Sequence, residues 1–194
     1  MLRIFNALIL LCLSQTAFAI DIQPNTLYPQ VQLDTSMGKI VVELDRTRAP
    51  LTVDNFLTYV VKGHYDNTLF HRVIAEFVVQ GGGLDLKQEE RPVAAPIVNE
   101  SGNGLSNTFG TIAMARDQNP HSATSQFYFN VGENVRLDPS SRRWGYAVFG
   151  EIIKGADVIQ AMSNVATEQN LKLQWPDFPI KDIILEKATL LPRK

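Results

Sequence analysis

A mainly β fold, either an antiparallel barrel or a sandwich with two helices over its open ends, is what this sequence predicts. Three observations carry the prediction. Short runs of alternating apolar residues recur between stretches rich in Gly, Asn, Ser and Pro. Only two segments show the helical period, and no internal repeat or composition break marks a second domain.

In chain order, the first 19 residues, "MLRIFNALILLCLSQTAFA", set one cation, Arg3, before an apolar run and end on Ala17-Phe18-Ala19. That pattern predicts a secretory signal over residues 1–19, cleaved near Ala19, and hence a periplasmic or secreted protein. An uncleaved anchor is the alternative, but Ser14, Gln15 and Thr16 interrupt a run already short for a span of about 20 residues. Lipidation at Cys12 would require smaller side chains than Ile9-Leu10-Leu11 before it. After cleavage no membrane attachment is expected.

Cys12 is the single cysteine, so the processed chain has no disulfide framework and no thiolate metal site. Its fold must stand on packing, which about 175 residues can supply in one domain. Without the leader, 17 cations face 20 anions. That balance, with no basic run, gives no support to a nucleic-acid-binding role.

Residues 20–30 form a polar, Pro-containing lead-in to a domain over 31–194. Val31 and Leu33, then Ile40, Val42 and Leu44, alternate at period two around Ser36-Met37-Gly38 and read as a hairpin. Val53, Phe56, Leu57, Val60 and Val61 switch to the helical period, with Pro50 near the start and Gly63 just past the end. Further strands are predicted at Leu69 to Ile74, Phe77 to Gln80, Thr111 to Ala115, Gln126 to Val131 and Tyr146 to Ile153. A second helix is predicted across "GADVIQAMS", and a last strand across "KDIILEKATLL".

"FHRVIAEFVVQGGG", Phe70 to Gly83, poses a problem, since Arg72 is a permanent cation set among apolar residues. On a regular strand Phe70, Arg72 and Ile74 share one face, and His71 and Val73 the other. With the His71 and Val73 side entering the barrel, Arg72 lies outside, and a bend at Ala75-Glu76 returns Phe77 beside it. "SATSQFYFNVG" likewise puts Gln126, Tyr128 and Asn130 on one face and Phe127 and Phe129 on the other. A cation, amides and aromatics on exposed faces suit an apolar slot with a positive rim. "QGGG" lacks the Lys-Ser or Lys-Thr of a phosphate loop and reads as a turn near the site.

"FHRVIAEFVVQGGG", "GTIAMARDQNPHSATSQFYFNVG" and "RLDPSSRRWGYAVFGEIIKGADVI" together resemble the signature segments of the cyclophilins, peptidyl-prolyl cis-trans isomerases, most closely the bacterial periplasmic members. The resemblance runs from about Val31 to Leu191. It implies a closed eight-stranded barrel capped by two helices, with a proline pocket on the outer surface. It also implies that Arg72, Phe77 and Gln80 carry catalysis, Arg72 directing its guanidinium at the prolyl nitrogen and Gln80 helping to hold it. Val78, Tyr128 and Leu137 would line the pocket with Phe77, Gln126 would sit at the rim, and Tyr146 takes a place held by His in many eukaryotic members. The backbone at Ala115 and Arg116 would bond the residues preceding proline. The implied substrates are proline-containing segments of exported, unfolded or partly folded proteins, with no cofactor and no metal; a monomer is expected.

Besides Tyr146, several positions depart from the family pattern. Ala75-Glu76 replaces a common Pro-Gly turn, Val78 a frequent Met, and Tyr128 the usual Phe. Arg136 stands where many eukaryotic members carry a Trp that supports cyclosporin binding, which implies weak inhibition by that drug. A binding module with little turnover, built on the same barrel, is the alternative function. A hydrolase lacks support, because His64, His71 and His121 are not motif-spaced and no G-x-S-x-G elbow is present.

Overall fold

The computed structural model describes residues 22–193. The expected leader and its cleavage site lie outside the described residues. Strands β1 (Gln30–Thr35) and β2 (Gly38–Leu44) are followed by α1 (Pro50–Val61), β3 (Thr68–Ile74), β4 (Val78–Asp85), β5 (Thr111–Met114) and β6 (Phe127–Asn130). A 3-10 turn (Val135–Leu137), β7 (Val148–Lys154), α2 (Ala156–Ser163), β8 (Thr167–Asn170), β9 (Trp175–Pro179) and β10 (Ile183–Leu190) complete the chain. Eight strands close into a barrel in the order β1-β10-β3-β4-β6-β5-β7-β2, which decides between barrel and sandwich.

The core follows from the alternation. Val31 and Leu33 on β1 and Ile40, Val42 and Leu44 on β2 are fully buried, and the aromatic centre is built by Phe56, Tyr65, Phe127, Phe129 and Phe149. Phe56 and Phe127 meet edge to face at 5.4 Å, an arrangement the ring quadrupoles favour. Val53, Phe56, Leu57 and Val60 of α1 and Ile159 and Met162 of α2 join this same cluster, so both helices cap the barrel with their apolar stripes.

Helix α1 starts on Pro50, whose missing N–H costs nothing in a first turn, but Ala49 before it has no capping side chain. Glu100 supplies the cap from a distant loop, accepting from the N–H groups of Leu51 at 3.1 Å and Thr52 at 2.8 Å. A carboxylate there also meets the positive end of the helix dipole.

The lead-in is latched by one buried cation. Arg46 donates from Nε to Asp54 at 2.8 Å, from Nη1 to the carbonyls of Gln23 and Thr26, and from Nη2 to that of Ile22 at 3.0 Å. Replacing Arg46 with Leu is expected to cost about 2 kcal/mol, the range for charged hydrogen bonds. A urea titration would read that as a lower midpoint, accompanied by faster proteolysis before Gln30.

Three expectations are corrected. First, Phe70 does not share a face with Arg72 and Ile74: it lies in the main core with Val73, while His71 turns outward against Trp175, ring centres 5.4 Å apart. The cause is a register slip between β3 and β4 at Phe70/Arg72, an extra residue that breaks the period of two. Second, "QGGG" is not a turn; Gln80 to Gly83 run inside β4, which extends to Asp85. A further slip between Thr68 and Phe70 falls opposite these glycines. Third, β8 and β9, a separate two-stranded sheet, were not expected, since "TEQN" and "WPDFP" are polar or interrupted by two prolines. Phe178 of β9 packs with Leu69 and Leu84 on the outer side of β3 and β4.

Candidate active site

Strand register assembles the site. Arg72 on β3 stands opposite Gln80 on β4, and Gln80 stands opposite Tyr128 on β6. Arg72 Nη1 donates to Gln80 Oε1 at 3.4 Å, a long contact, and Gln80 Nε2 donates to Gln126 Oε1 at 2.9 Å. Thus the two amides form a relay that orients the guanidinium. A methyl on Gly83 would overlap the Gln126 side chain, 2.6 Å from its Nε2, so the glycine inside β4 makes room for the second amide.

The bend at Ala75-Glu76 returns Phe77 beside Arg72, whose Cζ lies 5.9 Å from the ring centre. Glu76 adopts a left-handed backbone, φ 56°, a conformation that glycine adopts more readily. Close approach stabilises the bend: Gly132 packs so tightly on it that a methyl there would overlap the Glu76 carbonyl. The Asn134 side-chain amide donates to the Phe77 carbonyl at 2.7 Å, fixing Phe77 from the other side.

Between these residues lies an open cavity of about 200 Å³. Phe77, Val78, Tyr128, Leu137 and Tyr146 form its walls and floor, and Arg72, Gln80, Ala115 and Arg116 its rim. Gln126 is outside this cavity, in an adjoining depression that shares Gln80, Ala115 and Arg116 with it. Nine of the ten residues singled out in the sequence therefore line one cavity, and the tenth, Gln126, borders the depression beside it. A larger cavity of about 320 Å³ at Tyr28, Leu44 and Gly104 is bounded by Glu43, Asp45 and Glu151 and has no cation in its lining.

Tyr128 answers the question its hydroxyl raises. The group donates to Asn107 Oδ1 at 2.7 Å, and burial raises its pKa well above 10, so it stays a neutral donor facing inward. Asn107 is held by Asp138, which accepts from its backbone N–H at 2.7 Å and its side-chain amide at 2.8 Å. Burial pushes the Asp138 pKa up, but the bonds from Ser106 and Asn107 outweigh it and keep the group ionised below the usual carboxylate range. Tyr128→Phe should cost about 1 kcal/mol of stability. Turnover should stay within about threefold, since the lost hydroxyl points away from the cavity; thermal melts and an isomerase assay would check both.

Two functional neighbours escaped the sequence reading. Asn107 lies in a loop without periodicity. Asp177, at φ 60° on β9, places Oδ2 4.0 Å from Arg72 Nε, and both side chains are 37% exposed. At that length and exposure the pair is worth under about 1 kcal/mol, so Arg72 remains at the cavity rim and is not locked into an internal ion pair.

An arginine fork beside an apolar, ring-sized cavity, with no nucleophile needed, suits a substrate that is held and twisted. The model of the family described as "Cyclophilin type peptidyl-prolyl cis-trans isomerase/CLD" matches residues 30–189. The chain is 48% identical over 164 residues to the peptidyl-prolyl cis-trans isomerase cyp18 of Streptomyces antibioticus, covering 83% of this chain and 98% of that one. It is 45% identical over 163 residues to peptidyl-prolyl cis-trans isomerase B of Escherichia coli strain K12, covering 82% and 98%. With peptidyl-prolyl cis-trans isomerase A of Dickeya dadantii strain 3937 it shares 42% identity over 187 residues, 96% and 97% of the two chains. Among solved structures, a cyclophilin type peptidyl-prolyl cis-trans isomerase of Cryptosporidium parvum superposes with a TM-score of 0.70 at 23% identity, covering 86% of this chain and 99% of that one. That likeness concerns the fold.

Proposed function

Because the chain belongs to the cyclophilin-type peptidyl-prolyl cis-trans isomerases and accelerates rotation about X–Pro bonds, we propose that the Arg72 guanidinium is its catalytic donor and that Phe77 and Gln80 position the reaction. An X–Pro bond resists rotation by about 18–20 kcal/mol because the nitrogen lone pair is shared with the carbonyl. In the twisted transition state that pair is localised on nitrogen. A donor fixed at the nitrogen binds the twisted state better than either planar ground state, and only such differential binding lowers the barrier.

The observation that supports this is the joint placement of Arg72 and the Phe77, Tyr128 and Tyr146 rings around one cavity. The proline ring enters the apolar floor of Val78, Tyr128 and Leu137, while Arg72, steered by Gln80, reaches the amide. Ala115, Arg116 and Gln126 border the adjoining depression and receive the residues before proline. Exchange NMR of an Ala-Pro peptide tests the assignment: titration should shift the Arg72 Nε–Hε and Phe77 ring signals together. Catalysed exchange that leaves both signals in place would sink it.

Further, the protein acts as a monomer on exported, unfolded or partly folded chains in the periplasm or outside the cell, without a membrane attachment after processing. The support for export is the pattern of Arg3, apolar run and Ala17-Phe18-Ala19. N-terminal sequencing of material from a periplasmic extract should begin near Ile20; a start at Met1 would refute export by this route.

A further inference from the structure

Arg136 belongs to no role given so far. It is exposed, and its Cζ lies 4.6 Å from the centre of the Phe77 ring, on which the guanidinium stacks. Among the described residues its side chain has no hydrogen-bond or ion-pair partner, so its donors are free. The other arginines at the cavity are engaged. Arg116 donates from Nε to the Gly145 carbonyl at 3.1 Å, from Nη1 to that of Asp117 at 2.8 Å and from Nη2 to that of Trp144 at 3.0 Å. Arg72 faces Gln80 and Asp177.

The surroundings leave that free fork looking for an anion. No carboxylate lines the cavity. Asp138, two residues on, is turned inward to Ser106 and Asn107, and Glu133 accepts from the Phe109 N–H at 3.4 Å. Arg143 donates to the Arg136 carbonyl, which fixes the backbone of an otherwise exposed residue and brings a second cation to the same side. Stacking on Phe77 restricts the side chain before any ligand arrives, so less rotamer entropy is lost when a carboxylate is bound.

Position then selects which part of the substrate meets it. The depression for residues preceding proline adjoins the cavity at Gln80, Ala115 and Arg116, whereas Arg136 touches Phe77 and borders neither space. We propose that Arg136 is a specificity-determining residue that receives a carboxylate on one of the residues following the proline, so that the preferred substrates are Pro-containing segments with Asp or Glu just C-terminal to the proline. This rests on the catalytic reading above, because it takes the proline ring to lie against Phe77.

Exchange NMR on three peptides that differ only after proline, Ala-Pro-Glu, Ala-Pro-Gln and Ala-Pro-Lys, tests it. For the unaltered protein at low ionic strength, kcat/KM should be about fivefold higher with Glu than with Gln and lower still with Lys. An exposed charge pair gives no more than this. The preference should shrink towards unity in 0.5 M salt, on the order of a 4 Å screening length. Arg136→Gln should abolish it and Arg136→Lys keep part of it, with circular dichroism reporting the fold of each variant. Equal kcat/KM for the Glu and Lys peptides, or a preference that survives in Arg136→Gln, overturns the assignment of Arg136 alone. Failure to turn over even the Gln peptide would instead overturn the reading of the site on which it rests.

Discussion

Arg72→Ala is expected to lower kcat/KM for an Ala-Pro peptide by about 10²- to 10³-fold while leaving the urea midpoint nearly unchanged. The rate estimate is what removal of one preorganised donor to developing charge costs elsewhere, about 2.7–4 kcal/mol. The stability estimate follows from exposure: the side chain is 37% accessible and its ion pair with Asp177 is long, so the change belongs with surface substitutions, within about 0.5 kcal/mol. Arg72→Lys should recover little, because an ammonium cannot bond Gln80 and the prolyl amide at once. Exchange NMR at matched protein concentration measures both variants. Activity of Arg72→Ala within threefold of the parent would remove Arg72 as the donor.

Acidification should destabilise the protein in a window set by His71. The side chain is almost fully buried behind Trp175, its Nδ1 without a hydrogen-bond partner, and burial lowers its pKa to about 4, reinforced by the charge of Arg72 and opposed by the nearby Leu69 backbone and Gln126 side chain. The unfolded chain takes up this proton near pH 6.5, the folded one only near 4. Stability is therefore full above pH 6.5, falls as pH drops, and has lost about 3 kcal/mol below pH 4, at about 1.36 kcal/mol per pH unit. His64 moves the same way, its burial being the largest cause. The lowered carboxyl of Asp138 adds a loss only at lower pH, below its unfolded pKa near 3.8. Urea midpoints at pH 7.5, 5.5 and 4.5 should show the slope, and His71→Gln should flatten it. An imidazole that titrates near 6.5 in the folded state would contradict this account.

What the sequence made legible was what a local period can encode. The β1–β2 hairpin, α1, α2 and β10 stood out because their apolar residues repeat cleanly and turn residues bound them. Faces on β3 did not, because an alternation rule assumes a regular ladder and the slip at Phe70/Arg72 is a property of two strands at once. The cap of α1 was equally hidden, since Glu100 lies about 50 residues from the helix it serves. In the site, Arg72 announced itself as a charge out of place, and Tyr128 as a hydroxyl needing a partner. The partner, Asn107, and the acid beside Arg72, Asp177, could not be named, for they arrive through a loop and a hairpin that carry no pattern. Arg136 was visible as a departure from its family, but its seat on Phe77 required the turn at Glu76 to be built first.

The circular order of the barrel bears on how the protein treats what it handles. An unfolded polypeptide carries unpaired N–H and C=O groups and adds readily to any free strand edge. Here all eight barrel strands already have neighbours on both sides, so a visiting chain finds no lengthwise partner on the barrel, and the shallow hollow beside Arg72 offers it contact over only a few residues. Contact confined to a few residues dissociates quickly, which lets one molecule serve many prolines in succession without seeding the aggregation that an open sheet would invite.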